Sequence, residues 1–351
     1  MTPFDPKKHL RKNIQNLEPY QSARKEFTGN GAKMILLDAN ENPYETTVNR
    51  YPDPMQMELK QRLAVFKKVI PENIFLSNGS DEIISQLILT FCEPKEDHIL
   101  IVPPTFGMYA VTANIYSIGV KAIPLTNNFQ LDVPAILDQT TVHSKILFIP
   151  TPNNPTGNHF PDADLQLLAE SFPGILVIDE AYVEYSPQKS TLSWIEKYSN
   201  LVVCQTFSKA QGLAGARFGM AFANREIIAA MNKIKAPYNL NTLTQRAVMN
   251  RLGNQEMVDN QVKEILAQKK RLIAEFKNIR FIERVFPSDA NFLLVRVDNS
   301  NQRYQDLIAE GIVVRNPSKQ FGCENTLRIT VGTEDQNTAL LKALNRIQNN
   351  L

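Results

Sequence analysis

Short runs of hydrophobic residues alternate with longer helical patterns through the middle of the chain. Four of these runs are too short for helices and are bounded by Pro, Gly, Asn or Asp, which favours strands. They lie at residues 99–102, 146–149, 175–178 and 201–204. Strands that are apolar on both faces are typical of a buried parallel sheet whose strands are joined by crossover helices. Further strands are predicted to end near Leu76 and to span residues 218–222.

The last third of the chain has a different pattern. A long amphipathic helix is predicted at residues 257–276, and shorter strands and helices alternate after it. These are strands at residues 292–297, 312–315 and 327–331, a helix at residues 302–310, and a helix begun by Thr333 with Gln336 placed for a capping box. We therefore predict an α/β protein. Its large domain, residues 31–255, has a mostly parallel central sheet flanked by helices, and residues 1–30 and 256–351 form a smaller α+β domain.

Composition and charge exclude several classes of protein. The chain has 351 residues, of which 43% are hydrophobic, and its 38 Lys and Arg against 36 Asp and Glu give a net charge of +2. A chain of this length buries a core without disulfides or metals. No block of like charge is present to bind nucleic acid or an anionic membrane, and no apolar run reaches the roughly 20 residues of a membrane-spanning helix. Neither partner is expected.

The cysteines and histidines form no recognisable set of ligands. Cys92, Cys204 and Cys323 are odd in number and far apart, and the four histidines show no metal-ligand spacing. We therefore expect no disulfide framework and no metal site. Since residues 1–13 also lack the apolar core of a signal peptide, a reduced, cytoplasmic setting is expected.

A polar segment directly follows each of five predicted strands. The segments are residues 78–81 (Asn-Gly-Ser-Asp), 103–106 (Pro-Pro-Thr-Phe), 153–157 (Asn-Asn-Pro-Thr-Gly), 179–182 (Asp-Glu-Ala-Tyr) and 206–209 (Thr-Phe-Ser-Lys). Because ligands bind at the carboxyl ends of parallel strands, we expect these segments to line one crevice. Each alone is typical of a turn, a helix cap or a surface lysine. Together they supply the amine, carboxylate, hydroxyl, amide, aromatic ring and anion-binding turn that pyridoxal phosphate requires.

Several stretches of the chain also carry a family resemblance. They are residues 19–24, 38–43, 50–53, 78–82, 103–109, 153–157, 179–182, 208–217 and 327–332. In these residues, their order and the spacing from Lys209 to Arg217, the chain resembles the fold-type I pyridoxal-phosphate-dependent aminotransferases of the class II subfamily, and most closely the histidinol-phosphate aminotransferase family. Residues 211–212 (Gln-Gly) depart from the family pattern, in which an aromatic or bulkier residue is often found.

The resemblance implies a role for each residue at the cofactor. Lys209 would hold the aldehyde of pyridoxal phosphate covalently and carry a proton, and Asp179 would face the pyridine nitrogen. Tyr182 and Asn154 would bind the phenolic oxygen, while Phe106 would lie over the ring. The phosphate would be bound by Gly79, Ser80, Asp81, Thr206, Ser208 and Arg217, with Tyr51 contributed by the second subunit of a homodimer.

The resemblance also implies groups that bind the substrate. Arg328 matches the residue that binds the substrate carboxylate, because a planar guanidinium suits a carboxylate or a phosphate. Arg315 could share that anion. Tyr20 resembles the residue that contacts the substrate's phosphate, and Asn40 and Asn154 would help to wall the pocket.

The implied reaction is transamination in histidine biosynthesis. An amino group would pass from histidinol phosphate to 2-oxoglutarate, giving imidazole-acetol phosphate and glutamate. Two alternatives stay open at this point. The same fold could act on aromatic amino acids or decarboxylate a phosphorylated amino acid, or the chain could be a non-catalytic cofactor-binding sensor. The presence of both Lys209 and Asp179 argues against the sensor.

Overall fold

A seven-stranded sheet organises the first two thirds of the chain in the computed structural model, which describes residues 4–21 and 35–350. The strands are β1 (Ile74–Asn78), β2 (His98–Ile101), β3 (Gly119–Ala122), β4 (Ser144–Pro150), β5 (Ile175–Asp179), β6 (Leu201–Thr206) and β7 (Phe218–Ala223). Their order is β1-β7-β6-β5-β4-β2-β3. Strands β2 to β6 pair in parallel, and β7 is antiparallel to both of its neighbours. The predicted mostly parallel sheet is confirmed, although β3 was not predicted.

Helices cover both faces of this sheet. They are α1 (Pro6–His9), α2 (Lys12–Gln15), α3 (Met57–Lys67), α4 (Gly79–Phe91), α5 (Met108–Ile115), α6 (Val133–Asp138), α7 (Asp162–Ser171), α8 (Arg225–Ile234) and α9 (Thr242–Leu252). Alternate side chains of β5 enter two different hydrophobic clusters: Ile175 and Val177 pack on the side of α4 and α8, and Leu176 and Ile178 on the side of α3 and α7. A strand buried on both faces reads as a continuous apolar run, which is why these strands were predictable.

A second, smaller sheet follows in the last third of the chain. It contains β8 (Ile282–Val285), β9 (Phe292–Val297) and β10 (Thr326–Thr330), all antiparallel in the order β10-β9-β8. It packs with α10 (Gln255–Phe276), α11 (Ser300–Ala309) and α12 (Glu334–Asn349) around a separate hydrophobic cluster. The predicted capping box is confirmed, since Thr333 and Gln336 exchange side-chain to backbone hydrogen bonds at the start of α12. None of the helices in residues 4–21 and 35–350 has the length and apolar character needed to cross a membrane.

The strand predicted at residues 312–315 is wrong. Only Arg315 pairs with β10, through a single antiparallel bridge to Arg328. At one end of this segment, the N–H of Ile312 donates instead to Leu307 as α11 terminates. At the other end lies Pro317, which has no N–H to continue a ladder. The segment therefore pairs with the edge of β10 only at Arg315.

The amino-terminal segment packs on the large sheet's helices. The N–H of Arg11 donates to the carbonyl of Thr90 in α4 over 3.1 Å, and Lys233 Nζ of α8 donates to the carbonyl of Ile14 over 2.7 Å. These contacts place residues 4–21 with the large domain, contrary to the prediction that residues 1–30 join the smaller one. The boundary predicted between residues 30 and 31, and residues 22–24 of the first family stretch, lie outside the described residues. The division near residue 255 stays a prediction.

Candidate active site

One cavity of about 470 Å³ lies at the carboxyl ends of the parallel strands. All five polar segments contribute to its lining. The contributing residues are Ser80, Asp81, Thr105, Phe106, Asn154, Pro155, Asp179, Ala181, Tyr182, Thr206, Ser208 and Lys209, joined by Arg217, Arg315 and Arg328. Arg328 belongs to β10 of the smaller sheet and Arg315 is bridged to it, so the cavity lies where the two sheets of the molecule approach each other.

Four of the predicted site residues are not in the lining of this cavity: Gly79 directly precedes the lining residue Ser80, and the other three lie elsewhere. Tyr51 and Asn40 line a different cavity, where the Tyr51 ring stacks on Tyr238 with 4.4 Å between ring centroids. Tyr20 is 74% exposed and borders a third cavity together with Arg11. Within a single chain, the structure therefore separates these three residues from the groups around Lys209.

The start of α4 forms the anion-binding end of the cavity. Gly79 has φ +69°, a conformation that favours glycine, and a Cβ there would lie 2.6 Å from Arg217 Nη2 and so displace that guanidinium. Arg217 itself has φ +53°, and its Nη2 lies 3.2 Å from Asp81 Oδ2. Helix amides without intrahelical partners and a guanidinium attract a dianion such as phosphate. The hydroxyls of Thr206 and Ser208, 3.0 Å apart, add donors that continue this surface.

Lys209 and Asp179 both line the cavity. Nζ of Lys209 lies 5.4 Å from the centre of the Tyr182 ring. Desolvation, together with the charges of Arg328 and Arg217, lowers the pKa of Lys209, while Asp179 opposes that shift. Asp179 is buried, and burial raises its pKa, although two hydrogen bonds act in the opposite direction. A lysine with a lowered pKa beside a buried carboxyl group is typical of acid–base chemistry.

A hydrogen-bonded network on one side of the cavity joins Tyr182, Asn154 and Arg328. The Asn154 amide donates to the Tyr182 hydroxyl over 3.5 Å, and its oxygen accepts from Arg328 Nη1. Burial raises the pKa of Tyr182 to about 12. The guanidinium of Arg328 lies 5.3 Å from the centre of the Phe292 ring. The Tyr182 ring contacts the same ring in a T-shaped arrangement. This network of hydrogen bonds holds the Tyr182 phenol and the Arg328 guanidinium in position.

Two buried residues that contribute to the site were missed by the sequence reasoning. Tyr109 donates from its hydroxyl to Asp179 Oδ2 over 2.7 Å. Glu180 accepts hydrogen bonds from Ser190, Thr191 and Gln205 at 2.5–2.8 Å, and thereby ties the loop that follows Tyr182 to β6. A charged residue directly after an apolar strand was the only available signal for Glu180, and nothing local distinguishes Tyr109 from a core tyrosine.

The departure from the family pattern at residues 211–212 lies outside the lining of the cavity. Gln211 is buried, and its amide donates to Gln255 at the start of α10 over 3.3 Å. Gly212 has φ +68°, a conformation that favours glycine. These residues therefore turn the chain between Lys209 and Arg217 without entering the cavity.

The residues around the cavity fit pyridoxal phosphate. They supply an amine, a buried carboxyl group, a phenol and an anion-binding helix start with its glycine cradle at Gly79. Two buried polar atoms of lining residues, Thr105 Oγ1 and Arg328 Nε, have no hydrogen-bond partner within the described part of the chain. Buried polar groups are normally paired, so atoms of this kind at a cavity are available to a ligand.

Comparison with known proteins agrees with this chemistry. The family model for aminotransferase class I and II matches residues 30–344. The histidinol-phosphate aminotransferase of Christiangramia forsetii is 45% identical over 99% of this chain and 100% of its own, and that of Parabacteroides distasonis is 45% identical over 98% and 99%. The crystal structure of the histidinol-phosphate aminotransferase from Clostridium acetobutylicum is 30% identical, has a TM-score of 0.79, and matches 87% of this chain and 92% of that one. The family predicted from the motifs is confirmed: the chain belongs to the class I and II aminotransferases.

Proposed function

We propose that the chain transfers an amino group between histidinol phosphate and 2-oxoglutarate, giving imidazole-acetol phosphate and glutamate in histidine biosynthesis, with pyridoxal phosphate as cofactor. The observation that carries this proposal is the joint placement of Lys209, Asp179 and Arg328 around one cavity. The full-length relatives named above support histidinol phosphate as the amino donor, since their names describe them as histidinol-phosphate aminotransferases.

The chain's own residues divide the chemistry between them. When bound, pyridoxal phosphate supplies an aldehyde that reacts with amines and a ring that accepts negative charge. Lys209 would hold the aldehyde and move a proton at the reacting carbon of the substrate, for which its lowered pKa is suitable because a base must carry a free electron pair. Asp179 would supply the carboxyl group for the ring nitrogen. Tyr182 and Asn154 would donate hydrogen bonds to the phenolic oxygen, and Phe106 would pack on the ring.

The substrates are bound through their anions. Arg328 is held by Asn154 and packs on Phe292, and its Nε is free of partners among the described residues. Arg315 is joined to Arg328 by two backbone hydrogen bonds of 3.1 and 2.8 Å, so both guanidinium groups reach the cavity from one bridge. The planar guanidinium can donate paired hydrogen bonds to two oxygens of either a carboxylate or a phosphate. Both half-reactions can therefore use the same pair.

A panel of amino donors tests the proposed substrate. With 2-oxoglutarate present and glutamate measured, we expect kcat/KM for histidinol phosphate to exceed that for phenylalanine by at least about tenfold, the difference that one well-placed charged contact produces. Phosphothreonine should give neither glutamate nor carbon dioxide. Preferential turnover of phenylalanine, or decarboxylation of phosphothreonine, would establish one of the alternative reactions on this fold. If no donor reacts although cofactor is bound, the chain is a sensor.

We further propose a homodimer in which Tyr51 completes the phosphate site of the partner. In its own chain the Tyr51 side chain is 51% exposed and lies outside the cavity that contains Lys209. Mixing inactive Lys209→Ala protein with impaired Tyr51→Ala protein should raise activity above the sum of the two after subunit exchange, because one site of each mixed dimer is then intact. If Tyr51 serves its own chain, mixing restores nothing. Each variant incubated alone is the control.

A further inference from the structure

Tyr109 is buried directly behind Asp179. It belongs to α5, has no exposed surface, and its hydroxyl donates to Asp179 Oδ2 over 2.7 Å. The other carboxyl oxygen of Asp179, Oδ1, accepts from the N–H of Ala181 over 3.1 Å. Both oxygens are therefore held by the protein, and the plane of the carboxyl group is determined by these two donors.

The ring of Tyr109 is itself held in place. It stacks on Phe148 of β4 with 4.6 Å between centroids and 9° between planes. On another side it meets Phe106, the ring predicted to cover the cofactor, at 5.5 Å and 84°. Aromatic contacts of these two geometries are favourable, so the hydroxyl has little freedom to move away from Asp179. One side chain thus contacts two parts of the proposed cofactor site.

We propose that Tyr109 is a positioning residue of the active site, which holds Asp179 in the orientation and the ionised form needed opposite the cofactor's ring nitrogen. The inference rests on the proposed function, because that function assigns Asp179 to the ring nitrogen. Tyr109 does not touch the reacting atoms, so its effect on the reaction passes through Asp179.

Electrostatics supports this role. Burial raises the pKa of Asp179, and the hydrogen bond from Tyr109 is the foremost influence that lowers it, followed by that from Ala181. The charged groups that face Asp179 are Asp81, which raises its pKa, and Lys209, which lowers it. Burial also holds the pKa of Tyr109 well above its usual value, so the hydroxyl keeps its proton and always donates. Without that donor, Asp179 binds a proton at higher pH.

The test is Tyr109→Phe, which removes the hydroxyl and leaves the ring contacts. We expect the affinity of the cofactor-free protein for pyridoxal phosphate, measured by titration, to fall about tenfold, as for loss of one hydrogen bond to a charged group. The affinity should also begin to fall at higher pH than in the wild type as the solution is acidified. Tyr116→Phe, which removes a hydroxyl just after the same helix, is the matched control and should bind like the wild type.

Combination with Asp179→Asn separates positioning from packing. If Tyr109 acts through Asp179, adding Tyr109→Phe to Asp179→Asn should change the affinity by less than about twofold. An equal tenfold loss in both backgrounds would show that Tyr109 contributes through packing alone. Wild-type binding by Tyr109→Phe at every pH would also overturn the inference. Either result would leave the proposed function intact. If Asp179→Asn itself binds and reacts like the wild type, the role proposed for Asp179 is wrong, and the inference is wrong with it.

Discussion

Replacement of Lys209 by alanine is expected to lower kcat for transamination by at least about 10³-fold, because in the proposed function Lys209 is both the amine that holds the cofactor and the group that moves the proton. Arg217 and the start of α4 are unchanged, so the variant should still bind pyridoxal phosphate reversibly. Borohydride reduction, which makes a bond between cofactor and lysine permanent, followed by peptide mapping should mark Lys209 in the wild type. The variant should carry no mark.

Lys60 provides a matched control for this prediction. It is 3% exposed, and desolvation lowers its pKa to about 8, so that by acidity alone it competes with Lys209 as a reactive amine. However, Lys60 borders a different cavity, formed by α3 and α8, together with Met57, Glu72 and Ile228. Lys60→Met should therefore keep full activity and full cofactor content. Recovery of the reduced cofactor on Lys60, or on any lysine other than Lys209, would refute the assignment.

Asp179→Asn is expected to lower kcat by a factor on the order of 10³, since it removes the carboxylate that the proposed function assigns to the ring nitrogen, where charge develops during the reaction. The fold should be preserved, because an asparagine can still accept from the Ala181 N–H while its amide donates to the Tyr109 hydroxyl. Steady-state rates and the absorbance of bound cofactor measure the effect. Unchanged turnover with full cofactor occupancy would contradict it.

The same substitution should stabilise the cofactor-free protein. Burial raises the pKa of Asp179 in the folded state above its ordinary value of 3.8, so the folded chain holds a proton that the unfolded chain releases more readily. The stability that the protonated carboxyl group contributes is therefore lost as the pH rises from 3.8 through the pKa of Asp179 in the folded state. Asparagine does not ionise, so the variant's Tm should exceed that of the wild type by more at neutral pH than at acidic pH.

Asp97→Asn is the opposite control for this stability effect. Asp97 is also a buried carboxylate, but it accepts from the Glu93 N–H and pairs with His143 and Lys145 at the far ends of β2 and β4. Removal of a paired charge leaves its partners uncompensated, so this variant should lose stability and keep its kcat. If both variants were destabilised alike, the stability cost assigned to Asp179 would be incorrect.

Much of the large domain was predictable because its information is local. The strands β4, β5 and β6 are covered on both faces, and this burial gives each of them a continuous run of apolar residues. The direction shared by these strands brings the segments that follow them to one edge, which is why the sequence predicts Asn154, Asp179 and Lys209 in one crevice. The capping box of α12 was equally local, since it involves residues three positions apart.

Other features depended on contacts between distant segments. The pairing of Tyr109 with Asp179 joins residues 70 positions apart, and the contact of Arg328 with Asn154 joins residues 174 apart. The placement of residues 4–21 on α4 and α8, and the reduction of a predicted strand to the one bridge at Arg315, likewise depended on which neighbours the chain meets. The hydrophobic periodicity of a sequence indicates whether a residue is buried but not which residues pack against it. The sequence alone therefore determined the central strands of the large sheet and the family, and predicted the principal reactive groups. The tertiary structure decided how those groups are held, because hydrogen bonding and burial at the site come from side chains that only folding brings together.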